Sequence, residues 1–262
     1  MLALGLFSLA FSVPLRSSPL QMSATAAIPD TASAALDLCR RAAATKDEDP
    51  EAVCKALLSV EKEIRTAAKD DGGEISRATL ENLDGAWRLV FTTGTIDTQN
   101  AVGKINYFPL RATQTFDTKA TPMAITNGIF IGDFALLKFF GTFDWLEDRR
   151  RLEFDFDAIS LLGFKIDLPK GGAEELGAAT GLGAKNNVQR AKSGKKAFFN
   201  WISADSEIAT ARGGGGGLAL WRRDAEMEQE MRTIGTGADA ESFQLPDLPK
   251  LQLPKLPNPF GD

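Results

Sequence analysis

Leu83-Asp84-Gly85-Ala86-Trp87-Arg88-Leu89-Val90-Phe91-Thr92-Thr93-Gly94 opens the part of the chain whose reading decides the fold. Leu83, Asp84 and Gly85 read as a turn. Trp87, Leu89 and Phe91 then alternate with Arg88, Val90 and Thr92, the period-2 pattern of a strand with one buried face. Similar segments follow. Ile105 to Phe116 alternates loosely and meets a turn at Ala120-Thr121-Pro122. Met123 to Asn127 reads as a strand, and Asn127-Gly128 as a hairpin turn. Ile129 to Phe143 is dense in aromatics and broken by Gly132 and Gly141. Leu152, Phe154 and Phe156 alternate with Glu153, Asp155 and Asp157. Leu162, Phe164, Ile166 and Leu168 alternate with Gly163, Lys165 and Asp167. Phe198–Ile202, Ile208–Arg212 and Leu218–Arg222 complete about eight strands at meander-like spacing. The fold class expected is mainly β: a closed antiparallel β-barrel over residues 76–224.

Working outward, a helical hairpin precedes the barrel in residues 29–75. Ser33 is placed to cap a helix in which Ala35, Leu38, Cys39 and Ala42 share a face. Asp49-Pro50 starts a second helix, with Val53, Leu57, Val60 and Ile64 at helical spacing, and Lys69–Gly73 ends it. The plain expectation is that the hairpin packs its apolar face on the barrel. Cys39 and Cys54 lie on these apolar stripes. They read as reduced core cysteines, with a redox disulfide between the helices as the alternative.

Composition narrows the chemistry. The 262-residue chain is 44% hydrophobic, enough to bury a core, and its net charge of -5 argues against nucleic-acid binding. It has no histidine, which removes Ser-His-Asp and Cys-His nucleophile pairs and His-ligated metal sites. Two cysteines alone cannot build a zinc site. No catalytic residue, metal ligand or cofactor is therefore expected. The nearest approach to paired carboxylates is Asp155 and Asp157. Two apart on one strand they share a face, and that face is the outward one, where an unpartnered acid is a poor general acid.

Three segments fall outside the barrel pattern. Residues 1–28 carry no acid. Their apolar run Leu2–Phe11 is too short to span a membrane, and the Ser-containing stretch after it resembles a transit peptide. The two together resemble the bipartite presequence of algae with complex plastids, and a disordered apolar terminus is the alternative. Residues 170–196 are rich in Gly, Ala and Lys and read as a long basic loop, either simply solvated or touching anionic headgroups or an acidic partner. Gly213 to Gly217 reads as a flexible hairpin connection. Residues 225–262 form a linker and a tail in which Leu-Pro pairs recur from Leu245 to Pro257. That is either an extended docking peptide or a disordered end.

A Gly-x-Trp at the mouth of the first strand also opens the lipocalins, and the wider pattern resembles the plastid lipid-associated proteins, or fibrillins. The resemblance is carried by Leu83–Thr93, by Trp145 through Leu168 with Phe154, Asp155, Phe164 and Pro169, and by Trp201–Asp205, Ile208–Gly214 and Leu218–Arg222. It spans residues ~31 to ~224. It implies a lipocalin-like barrel in the plastid that binds or carries a lipid, quinone or carotenoid without catalysis, at plastoglobules or thylakoids. In that reading Trp87, Phe91, Phe130, Phe154, Phe156, Leu162 and Phe164 are candidate ligand contacts. Arg222, or else Arg212, stacks on Trp87 and closes the barrel floor. The alternative is an assembly factor docked on a thylakoid protein complex through the tail and the basic loop.

Overall fold

The computed structural model describes residues 30–132, 134–161, 164–168 and 195–228. Three helices come first: α1 (Asp30–Thr45), α2 (Pro50–Ala67) and α3 (Glu74–Leu83). The Asp49 side chain accepts a 2.8 Å hydrogen bond from the Ala52 N–H and so caps α2, with Pro50 in the first turn where no donor is needed. Ser33, expected as a cap, lies inside the first turn of α1 instead. The third helix corrects the turn expected at Leu83. Leu83 is the last residue of α3 and is fully buried. Asp71 starts this helix: its carboxylate accepts from the N–H groups of Gly73 and Ile75, at 2.9 and 2.8 Å.

The rest is β-structure: β1 (Gly85–Thr92), then a short helix α4 (Ile96–Val102), β2 (Asn106–Tyr107), β3 (Arg111–Asp117), β4 (Ala124–Ile131), β5 (Phe134–Leu146), β6 (Arg151–Leu161), β7 (Phe164–Asp167), β8 (Ala197–Ala204), β9 (Ile208–Gly213) and β10 (Leu218–Arg223). Eight of these run β1-β3-β4-β5-β6-β8-β9-β10, and β10 pairs back onto β1. The fold is mainly β, a closed eight-stranded antiparallel barrel with helices before it. Strand β2 adds to β1, and β7 adds to β6 alone, so the segment expected as a barrel strand over 162–168 is a flanking ribbon. Its residues Phe164 to Asp167 are all exposed. Asn127-Gly128 is not a turn. Both residues sit mid-strand in β4, with neither in the left-handed region a type I′ turn requires.

Four β-bulges interrupt the barrel pairing, and two of them bear on the site. Leu89 faces Trp221 and Phe91 faces Leu220, so Val90 is extra and the inward alternation of β1 breaks there. A second bulge lies on β6, where Asp157 is extra opposite Phe140 and Gly141 of β5. Gly141 is required at that bulge, because a Cβ would stand 1.9 Å from the Asp155 carbonyl oxygen.

The helical hairpin covers the outside of the barrel as expected. The apolar faces of α1 and α2 pack on Val90, Phe91, Ile202, Ile208, Leu218 and Leu220. Cys39 and Cys54 are both buried and free of any disulfide.

Candidate functional site

One end of the barrel is a packed floor. Trp87, Phe116, Ile125, Phe143, Leu152 and Trp201 fill it, and Leu83 of α3 joins them from outside. Phe116 meets Phe143 and Trp201 edge-to-face, at 6.0 and 5.5 Å between ring centres. The Trp87 indole N–H donates to the Leu83 carbonyl at 2.8 Å, which ties helix to strand. A guanidinium does stack on Trp87, at 4.2 Å from the ring, but it belongs to Arg223. Arg223 also donates to the carbonyls of Asp84, at 2.8 Å, and Asn82.

Both residues expected in that role sit elsewhere. Arg222 is exposed on the outer face, opposite Arg88. Strand parity is the reason: Ala219, Trp221 and Arg223 share the inner face, whereas Leu218, Leu220 and Arg222 face out. Arg212 forms a bidentate pair with Glu61 of α2 at 2.7 and 2.5 Å, and donates to the Gly216 carbonyl at 2.7 Å. It therefore clamps the helical hairpin to the glycine run. Its hydrogen bonds hold the Glu61 carboxyl below the usual glutamate range.

Above the floor the barrel is hollow. A cavity of about 400 Å³ is walled by Leu89, Ile129, Phe139, Phe154, Phe156, Phe199, Ala219 and Trp221. Phe154 and Phe199 stack at 5.3 Å, and Phe199 meets Trp221 edge-on at 5.9 Å. Among the described residues, none that lines the cavity carries a charge. Its mouth is framed by the start of α4 (Thr95, Thr98), by Ile105 and Phe108, and by Gly213 to Gly217. The glycine run is not a loose connection. Its Gly215 carbonyl accepts from the Ile96 N–H at 3.0 Å, and a Cβ on Gly217 would lie 2.1 Å from the Gly94 oxygen. Glycine lets the two loops touch backbone to backbone.

Of the expected ligand contacts, the structure brings Phe154 and Phe156 together on the cavity wall. Trp87 lies below the cavity in the floor. Phe91 is turned outward by the Val90 bulge and packs beneath the helices, edge-on to Tyr107 at 5.4 Å. Phe130 is also outward: it packs with Ala86 and Met227 under a helical turn at 225–228, and its ring carries Arg111 and Lys138 at 5.4 and 5.5 Å. Phe164 is 59% exposed on β7 and is not part of the cavity wall. Leu162 lies outside the described residues, as do the presequence 1–28, the Leu-Pro tail and all of the basic loop except Lys195 and Lys196.

The sequence reading missed Leu89, Gln114, Asn127, Phe139, Phe199 and Trp221. Parity would have found Phe199 and Trp221, which alternate correctly with their neighbours. Asn127 was hidden by its false turn signal. Helix α4 was missed as well, although Thr95 announces it: its hydroxyl accepts from the Thr98 N–H at 3.1 Å, an N-cap.

The chain matches no protein-family model, and no curated protein matches it.

What the site can do chemically follows from its lining. Asp155 and Asp157 are on the outer face of β6, opposite in parity to Phe154 and Phe156. Among the described residues there is no group of three or more His, Cys, Asp or Glu placed to hold a metal ion. Burial pushes the Cys39 thiol up to about 12, so it is a packing residue and not a nucleophile. A mostly apolar, uncharged chamber of this size has room for an apolar guest.

Proposed function

We propose that this chain is a plastid lipid-associated protein of the fibrillin kind, which binds or carries one apolar isoprenoid, quinone, carotenoid or other lipid at plastoglobules or thylakoids without catalysing a reaction. The observation that carries this reading is the chamber between the Phe154–Phe199 stack and Trp221. Its volume of about 400 Å³ sits in the lower part of the range for small-molecule sites, roughly 300–1,000 Å³. At about 30 Å³ per water-sized group it encloses roughly a dozen such groups. A quinone ring and the first part of its chain match that volume. A longer tail projects through the mouth. Binding is driven by burial of apolar ligand surface at roughly 25 cal/mol per Å².

The mouth also supports a membrane or droplet surface as the place of exchange. Exposed large apolar residues gather at this end: Ile96 on α4, Leu110 before β3, Ile131 at the end of β4, and Phe164 and Ile166 beside the last residues of β6. An apolar rim around an apolar chamber lets a lipid pass without crossing water. Among the described residues no helix is long and apolar enough to cross a membrane.

The test is organic extraction and mass spectrometry of the protein from its native plastid, beside an equal amount of a control stromal protein. A stoichiometric prenyl lipid, quinone or carotenoid is the expected result. A protein that comes out clean and migrates with a thylakoid complex overturns the carrier reading in favour of the assembly role.

A further inference from the structure

At the deepest point of the cavity wall, two carboxamides face each other. Gln114 on β3 and Asn127 on β4 are direct register partners on the inner face. The pair below them, Phe116 and Ile125, already belongs to the floor, and the pair above, Ala112 and Ile129, is apolar. Gln114 is only 9% exposed. Its Oε1 and the Asn127 Oδ1 are buried, and neither oxygen has a hydrogen-bond partner in the protein. Directly opposed side chains stand close enough to share one small guest group. An unsatisfied buried amide oxygen is costly, so a barrel evolved only for stability has no reason to keep two in a wall whose other large side chains are Phe, Leu, Ile and Trp.

We infer that Gln114 and Asn127 form a recognition subsite for a single uncharged hydroxyl group on an otherwise apolar ligand, which enters head-first and leaves its tail towards the mouth. This rests on the lipid-carrier reading above and narrows its ligand class to prenyl alcohols, phenols and reduced quinones. A half-turn of either carboxamide about its last torsion brings its oxygen to the cavity, where the hydroxyl donates to it and accepts from the neighbouring amide N–H. A ketone or ether can only accept, and leaves both oxygens unmet. A carboxylate or phosphate is disfavoured because no cation faces it among the described lining residues, and a charge buried without a partner is expensive.

The experiment compares three probes on the purified full chain by titration calorimetry: farnesol, farnesyl methyl ether and farnesoate at pH 8. Farnesol is expected to bind about 10–100-fold more tightly than the ether, and farnesoate more weakly than farnesol. Gln114→Met and Asn127→Leu keep volume and remove the amides. Each is expected to cut the farnesol-to-ether ratio to about 3 or less. If all three probes bind equally to the wild-type chain, the subsite is overturned and the carrier reading survives. If none binds, both fail. The wild-type comparison decides the matter even if a variant does not fold.

Discussion

Arg223 shows how much one position matters. Its guanidinium covers Trp87 and satisfies two carbonyls at the end of α3, while Arg222 beside it is exposed on the outer face. Arg223→Ala is therefore expected to cost about 2–4 kcal/mol, summing a desolvated cation–π contact and two charge-assisted hydrogen bonds. Arg222→Ala is expected to stay within about 0.5 kcal/mol of wild type. Urea denaturation of both variants checks this; equal effects would mean the floor is closed by something else. Gly141 is the second decisive residue. Its Cβ would collide with backbone, not with a side chain that could turn away. Gly141→Ala is expected to destabilise by about 3 kcal/mol or more and to broaden the amide NMR signals of β5 and β6. An unchanged denaturation midpoint would show that the bulge opens at little cost.

At the scale of elements, the barrel depends on how the helical hairpin is fastened. Apolar burial supplies most of the contact, but the Arg212–Glu61 pair sets where α2 meets the glycine run at the mouth. Glu61 has a lowered pKa in the folded protein. The unfolded chain, with a glutamate value of about 4.3, binds the proton more readily. The pair's stabilisation is accordingly complete above that value and is lost as pH falls through the folded pKa. Glu61→Gln is expected to be less stable than wild type by about 1–3 kcal/mol at pH 7, with the gap shrinking towards pH 3. Denaturation midpoints at the two pH values measure this, and a pH-independent gap would exclude the ion pair as its cause.

Much of this element scale was legible beforehand. Asp49-Pro50 announces α2, and the alternation at Leu152, Phe154 and Phe156 announces β6 and its inner face. Less legible were elements that depend on distant partners. Helix α3 has a weak sequence signature, and its last residue, Leu83, packs into the barrel floor. Strand β7 alternates cleanly yet stays outside the closed circuit.

At the scale of the whole barrel, one end is packed solid and the other is hollow. Leu89→Trp, which adds an indole to the cavity wall, is expected to lower affinity for an apolar probe at least 10-fold, with a modest loss of stability of about 1–3 kcal/mol from overpacking. Of the tryptophans only Trp221 lines the cavity, so its fluorescence should report occupancy and Trp221→Phe should silence that response. A full response in Trp221→Phe would place the guest elsewhere.

The sequence by itself determined the mainly β class, the closed meander of about eight strands, the two leading helices and the absence of histidine chemistry. These rest on local periodicity, capping residues and composition, all of which are written into neighbouring positions. Only the tertiary structure decided which aromatics face the cavity. Phe91 and Phe130 face out, against the expectation, because a single extra residue at Val90, or one step of parity, exchanges the faces of a strand. It also decided that Asn127 and Gln114 meet. They are neighbours only through the pairing of β3 with β4, a contact that no local pattern encodes.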